Sequence, residues 1–357
     1  MRKICFLSGD ITRSGGTEKV ACQIANGLSG LYDVCIVSLC ERSSGLHFHL
    51  ETSISHTALF TDNPNGIKQY WQIVSRLHRF IARNHIDILI DVDTILDMFS
   101  VSAVLGTTTK LIAWEHFNFH ETMGNKLRVP IRKYISRWAK CIVVLTKEDK
   151  RSFSDYLKGK SRVEQIYNPV EFSSGDFTYD LTSKTIISVG RLARQKGFDY
   201  LLESAEIVIK KHPDWQWLIL GEGDERQNLE QTIAEKKLHQ VKLLGRVSDV
   251  ENYLRKAAIF ALTSRYEGFP LVMIEAKASK LPVVSFKCKT GPAELIRAGD
   301  NGDLINCFDT EAFADAVCAL IESEEKRKQY SENAKLDLEK LDYQAIIRQW
   351  QALVESM

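Results

Sequence analysis

Short apolar runs alternate with longer amphipathic segments along nearly the whole chain. RKICFLS is followed by TEKVACQIANGL and then DVCIVSL, and DILIDV, KLIAWEH and CIVVLT repeat the apolar kind further on. Runs without internal polar alternation suit strands covered on both faces, and their alternation with helical segments predicts parallel sheets. A second series opens with TIISVGR at 185–191 and continues through WQWLILG, VKLLG, IFALTS and PVVSF. In GIKQYWQIVSRLHRFIARN, Ile67, Trp71, Val74, Leu77 and Ile81 recur at spacings of three and four, which predicts one helical stripe. The closing LDYQAIIRQWQALVESM places Ile346, Trp350 and Val354 on one side of another helix. Between the series, NPVEFSSGDFTYDLTSK follows neither period over most of its length, so a linker is expected at 170–183. The expected domains are 1–170 and 171–340, with a helix over 341–357 packing back on the first.

Composition narrows the class. At 357 residues the chain is too long for one average core, and 44% apolar with 26% charged residues are globular values. A net charge of +1 disfavours nucleic acid as the main partner. Locally the balance shifts: from Lys126 to Arg162 there are 12 basic residues against three acids, with Leu127, Ile131, Tyr134, Ile135 and Trp138 interleaved at their start. That block suits an anionic bilayer surface or an ordinary amphipathic helix on the first sheet, and both readings stay open. The eight cysteines show no CxxC spacing and read as reduced core residues of a cytosolic protein. ICFL is too short for a signal-peptide core, and no run approaches the roughly 18 apolar residues of a spanning helix. A cytoplasmic protein is expected, peripheral on the inner face of the cytoplasmic membrane if 126–162 docks there.

Candidate chemistry gathers where strands turn into helices. Gly15 and Gly16 let a backbone approach closely, and the helix they open offers free NH groups to a phosphate; a tight turn alone is the competing reading. The spacing is not GxGxxG, which disfavours a nicotinamide cofactor. Arg191 and Lys196 follow TIISV, just ahead of a helix beginning near Gly197, and suit a diphosphate held by a fork and a point charge. Glu267 follows IFALTS, Pro270 is placed to be the first residue of the next helix, and Gly268 to Val272 would present amides to an anion. Glu275, about a turn and a half further in, needs partners that sugar hydroxyls could supply, unless it reaches solvent or a lysine such as Lys277 or Lys280. Asp91-Val92-Asp93 has the DxD spacing of a metal-held diphosphate site, or else leaves Asp93 as an acceptor-side or plain surface acid.

In order and spacing, GGTEKV, GRLARQKG, LGEGDERQNLE, LLGRVSDVENYLRKA, EGFPLVMIE, TGPAELI and NGDLI resemble the retaining glycosyltransferases of family 4 over nearly the whole chain. The resemblance implies the GT-B fold, an α/β architecture of two facing Rossmann-like domains with an inter-domain cleft, the first, 1–170, binding the acceptor and the second, 171–340, the nucleotide sugar. It implies that Arg191 and Lys196, with Gly16, hold the donor diphosphate. Glu267 would bind the donor sugar beside Gly268, Phe269 and Pro270, and Glu275 the ribose. Arg246, Val247 and Gly221 would lie at the nucleobase, and His116 beside the sugar and leaving phosphate. No metal and no cofactor are expected, since the nucleotide sugar is a substrate. The implied activity is transfer of a hexose or N-acetylhexosamine, with a UDP donor favoured, to a saccharide acceptor, including the undecaprenyl-diphosphate-linked kind, in O-antigen or capsule synthesis. A sugar-nucleotide 2-epimerase and a GDP-mannose-dependent mannosyltransferase remain as alternatives. Two positions depart from the pattern: Lys280 stands where the family has Gly at a helix end, and Asp224 where Pro is common.

Overall fold

The computed structural model describes residues 1–122, 124–170, 178–336 and 338–357, so half of the expected linker, 171–177, lies outside the described residues. The chain divides into two compact units, Met1–Pro169 with Leu341–Met357, and Val170–Lys340.

Among the described residues the first unit carries β1 (Lys3–Ser8), β2 (Asp33–Cys40), β3 (Ser55–Phe60), β4 (Ile88–Val92), β5 (Lys110–Trp114), β6 (Cys141–Val144) and β7 (Arg162–Gln165). They form one parallel sheet ordered β3-β2-β1-β4-β5-β6-β7. The second unit carries β8 (Thr185–Val189), β9 (Gln216–Leu220), β10 (Val241–Gly245), β11 (Ile259–Leu262), β12 (Val283–Phe286) and β13 (Gly302–Ile305). Their order is β10-β9-β8-β11-β12-β13, again all parallel. In each sheet the chain starts centrally, runs to one edge and crosses back, which makes a switch point between β1 and β4 and another between β8 and β11. Ligands of such sheets bind beyond the carboxyl ends of the strands at that point.

The apolar runs become these strands because both of their faces are covered. Ile4, Cys5, Phe6 and Leu7 of β1 are buried, as are Ile259, Phe260, Ala261 and Leu262 of β11. All eight cysteines are free thiols, seven of them buried. The stripe expected over 67–81 is corrected at its start. The helix runs Tyr70–Asn84 and buries Ile73, Val74, Leu77 and Ile81, whereas Trp71 is 76% and Ile67 73% exposed. Ile67 precedes the helix, and Trp71 lies on the flank of a stripe whose centre runs through Ile73 and Leu77.

The helix Tyr343–Glu355 belongs to the first unit and packs on the helix Gly16–Ser29. Asp342 caps it by accepting from the Ala345 amide at 2.9 Å. Tyr343 donates its hydroxyl to the Gln23 carbonyl at 3.0 Å, and Trp350 meets Trp114 edge-on at 4.7 Å between ring centres. A Cβ at Gly27 would lie 2.2 Å from Ile347 Cδ1, so a larger residue there would have to push the Ile347 side chain aside. Among the described residues no helix is long and apolar enough to cross a membrane.

Candidate active site

In the second unit the switch point brings together residues 71 positions apart. β8 leads into a 3₁₀ turn, Arg194–Lys196, and β11 leads through Thr263 and Ser264 to Glu267. The Lys196 ammonium donates to Glu267 Oε1 at 2.7 Å, and the Ser264 hydroxyl donates to the same oxygen at 2.5 Å. Both charged side chains are largely buried, so their attraction is weakly screened. From the TGPAELI segment, the Thr290 hydroxyl donates to the Glu267 carbonyl. Gly291 adopts φ 91° where a Cβ would lie 2.6 Å from Pro270 Cδ and 3.0 Å from the Gly268 carbonyl. Thr290 and Gly291 therefore clamp the turn that carries Glu267.

Pro270 is the N-cap, with extended backbone, and the helix runs Leu271–Ala278; the sequence places its start one residue earlier. Its leading amides, at Leu271 and Val272, lack intrahelical partners by construction. Glu275 is half-buried on this helix. Lys280 takes the left-handed conformation, φ 58°, that a glycine would hold more cheaply. The Leu281 amide still reaches the Ala276 carbonyl at 3.0 Å, so the helix end closes despite the lysine.

The remaining candidates of this unit have separate surroundings. Arg191 and Lys196, expected to hold one diphosphate, each meet a carboxylate here. Arg191 pairs with Asp224 at 2.9 Å and is 67% exposed, so the unusual Asp224 occupies the guanidinium. Gly221 has φ 143°, and a Cβ there would lie 1.9 Å from the Gly190 carbonyl; backbone packing alone demands glycine. Arg246 is exposed and Val247 half-buried just beyond β10.

The first unit has its own constellation. Gly15 caps the helix that begins at Gly16, and the Glu18 carboxylate folds back so closely that a Cβ on Gly15 would lie 2.2 Å from Glu18 Oε2. A carboxylate thus sits where the sequence predicts a phosphate, and burial raises its pKa, which eases its displacement or protonation. Asp93 sits just beyond β4 with φ 111°, a strained value for a residue with a side chain. Arg128 donates to both its oxygens, Nη1 to Oδ1 at 2.7 Å and Nη2 to Oδ2 at 2.6 Å. The same guanidinium lies 4.5 Å over the Phe117 ring. His116 is buried, with its ring 4.3 Å from Trp114, and Nε2 has no hydrogen-bond partner among the described residues. Burial lowers its pKa to about 4, with Asp93 opposing that shift. It is therefore neutral at physiological pH and can act as a hydrogen-bonding group, not as a cation.

Asp91 and Asp93 do not converge as a DxD site. Asp91 lies inside the fold, where it accepts from the Ser100 hydroxyl at 2.7 Å and burial raises its pKa to about 7. Its coupled neighbour Asp97 is pushed well above the usual carboxylate range by burial and by Asp91. Asp93, two residues on, is committed to Arg128.

Several contributors were hidden from sequence reasoning: Ser264, Thr290 and Arg128, and a buried pair in which Arg132 Nε meets Glu115 Oε2 at 2.5 Å. Arg132 also donates to the carbonyls of Asn118, Phe119 and Glu121, and the Thr94 hydroxyl donates to Glu115. Glu115 and Arg132 thereby pin the segment carrying His116 to the segment carrying Arg128.

Comparison with known proteins supplies the family. Residues 14–174 match the model described as Glycosyltransferase Family 4, and residues 171–337 the model of glycosyl transferases group 1. An uncharacterised glycosyltransferase of Haemophilus influenzae is 33% identical over 357 residues, covering 99% of this chain and all of that one. The amylovoran biosynthesis glycosyltransferase AmsD of Erwinia amylovora is 28% identical, over 98% of this chain and 99% of its own. An alpha-1,4-N-acetyl-D-galactosaminyltransferase of Campylobacter jejuni, named for a PP-undecaprenol-linked substrate, is 26% identical over 99% of this chain and 98% of its own. Among solved structures, an S. aureus TarM variant in complex with Fondaparinux, alpha-GlcNAc-glycerol and UDP superposes with a TM-score of 0.82. It is 17% identical and covered to 99% on both sides. Two Rossmann-like parallel sheets of the GT-B class, both family models and a full-length relative agree: this chain belongs to the glycosyltransferases of family 4.

Proposed function

We propose that the protein is a retaining, metal-independent glycosyltransferase that moves a hexose or N-acetylhexosamine from a UDP-sugar to a saccharide acceptor in bacterial surface-polysaccharide synthesis. The observation that carries the reading is the Lys196–Glu267 pair at 2.7 Å, held at the switch point of the second sheet. Lys196 and the leading amides of Leu271 and Val272 offer positive charge to a departing diphosphate, with Arg191 as a further cation once Asp224 releases it. Such preorganised groups stabilise charge that grows in the transition state. Glu267 accepts from hydroxyls of the donor sugar, Glu275 from the ribose, and Arg246, Val247 and Gly221 border the base. His116 supplies a neutral hydrogen bond to the sugar, and Asp93 belongs to the acceptor side. Neither glutamate acts as a covalent nucleophile; the leaving phosphate itself takes the acceptor proton. The UDP found with TarM and the polysaccharide and lipid-linked chemistry named for the two relatives support this choice of donor and acceptor.

Thermal-shift measurements against UDP, GDP and ADP, then the matching sugars, test the donor; stabilisation by GDP alone would replace UDP. Turnover that persists in excess EDTA agrees with metal independence, and its loss with restoration by magnesium overturns it. A donor-only incubation that isomerises the sugar points to the epimerase instead.

The acceptor, on this reading, is met at an anionic membrane surface. Support comes from an inverted segment: between Arg128 and Trp138, Arg132 and Ser136 are buried, whereas Tyr134 is 61% and Trp138 69% exposed. Lys133, Arg137, Lys158 and Lys160 line a cavity of about 440 Å³ beside Tyr156. Cations flanking outward aromatic rings suit the headgroup region. Vesicles with anionic lipid should sediment the protein at low salt, and vesicles of neutral lipid should not; equal sedimentation, or none, removes the membrane from the proposal.

A further inference from the structure

A groove of about 790 Å³ opens in the first unit where β2 and β3 end. It occupies the same edge of the sheet as Gly15, Asp93 and His116, the edge at which parallel sheets bind ligands. Glu41 follows β2, Phe60 closes β3, Asp62 and Asn63 follow, and Gln69 and Arg76 reach in from beside and along the helix Tyr70–Asn84. Its volume falls within the usual range for ligand sites, roughly 300–1,000 Å³.

The lining is that of a polyol site. Two carboxylates accept hydrogen bonds and the Asn63 amide both donates and accepts, while Gln69 is held by the Asn65 amide at 2.7 Å and by Gln72 at 3.3 Å and Phe60, stacked by Arg76, contributes an aromatic edge. Each main element is held from behind. His56 Nδ1 meets Glu41 Oε1 at 3.1 Å. The Arg76 guanidinium stacks 4.2 Å over the Phe60 ring while donating to the Leu59 carbonyl at 2.5 Å. Asn63 Oδ1 accepts from the Cys40 thiol at 3.6 Å, so its amide group is turned elsewhere. With two acids against one already engaged arginine, the groove disfavours phosphate and carboxylate ligands and suits an uncharged sugar. It is also tied to the loop leading to Gly15: the Ser43 amide donates to Thr12 Oγ1 at 3.3 Å, and that hydroxyl donates to Asp10 Oδ1 at 2.5 Å.

The geometry points to a neutral-oligosaccharide subsite in this groove, one that recognises sugar units of the acceptor lying behind the unit that receives the transferred sugar. The inference rests on the glycosyltransferase reading proposed above. It adds that the enzyme discriminates acceptors by length and by the identity of a distal residue.

The test is binding, measured without turnover. The full-length protein is applied to immobilised oligosaccharides of bacterial surface polysaccharides, with their constituent monosaccharides as controls, and the best ligand is titrated in solution by saturation-transfer NMR. Two variants, Phe60→Ala and the solvent-exposed Asp62→Ala, are run beside it, and each sample is also tested for a thermal shift with UDP. We expect oligosaccharide binding by the wild type, little response to monosaccharides, and a loss of affinity of roughly tenfold or more in each variant, as one or two hydrogen bonds or an aromatic contact disappear. Absence of oligosaccharide binding by the wild type, or variants that bind as well as it does, overturns the subsite. A UDP shift retained in that case leaves the donor reading standing. Oligosaccharide binding that both variants weaken, without any UDP shift, upholds the groove and removes the donor.

Discussion

The two units finish their switch-point strands alike and use the result differently. Asp93 follows β4 and Glu267 follows β11, and each carboxylate meets one cation from a distant segment. Arg128 occupies both oxygens of Asp93, whereas the Lys196 and Ser264 bonds converge on a single oxygen of Glu267. A ligand reaching Asp93 must displace a bidentate guanidinium; at Glu267 it has only to join a carboxylate already oriented and half engaged. An acid beyond a parallel strand is thus no sufficient mark of a binding group. How its lone pairs are already occupied sets how much a ligand must displace to reach it.

The largest effect that would sharpen this contrast is on turnover. Glu267→Ala should reduce kcat by about 10²–10³-fold, in the range for a lost transition-state hydrogen-bonding group, while the UDP thermal shift persists. Equal loss of both would deny Glu267 its separate role. Next comes Arg128→Ala, which leaves Asp93 in a strained backbone without its partner and should destabilise the first unit by about 3 kcal/mol. Hydrogen exchange in β4 and β5 reads this directly; exchange unchanged there would make the pair ornamental to stability.

Smaller again is a pH effect confined to the first unit. Asp91 titrates at about 7 through burial, so its contribution is full below the unfolded value and is lost as pH rises towards and through 7. His116, lowered to about 4, works oppositely: its contribution is full above the unfolded value and fades as pH falls from roughly 6.5 towards 4. Asp97→Asn removes the coupled acid, so the fall in Tm between pH 6 and 8 should shrink by roughly 2–4 °C. An unaltered profile would show that Asp97 does not contribute to this pH dependence. The smallest change is Lys280→Gly in the second unit, which relieves a left-handed lysine and should add about 1 kcal/mol in denaturant titration.

Legibility followed the range of the interaction. The strands, the alternation and the Glu267–Glu275 spacing are local patterns, and they could be read. Arg128 could not be assigned to Asp93, because 35 residues separate them and nothing in LRVPIRKY distinguishes Arg128 from its basic neighbours. Arg132 looks equally ordinary, yet it is fully buried on Glu115. Ser264 and Thr290 gave no signal beyond being hydroxyl residues near a turn. Trp71 misled for a different reason: spacings of three and four define a stripe but not its centre, and the flank is exposed. The Arg191–Asp224 pair was equally out of reach, because 33 residues separate its members and both lie on exposed segments.

The return of the helix Tyr343–Glu355 to the first unit has a bearing on synthesis. Trp350 closes over Trp114, whose ring lies against His116, so this contact waits for a segment made after the whole second unit. The second unit, contiguous from Val170 to Lys340, can fold as soon as it leaves the ribosome. The first unit is thus completed only after the second has been made, and its aromatic stack at His116 links those two moments of synthesis.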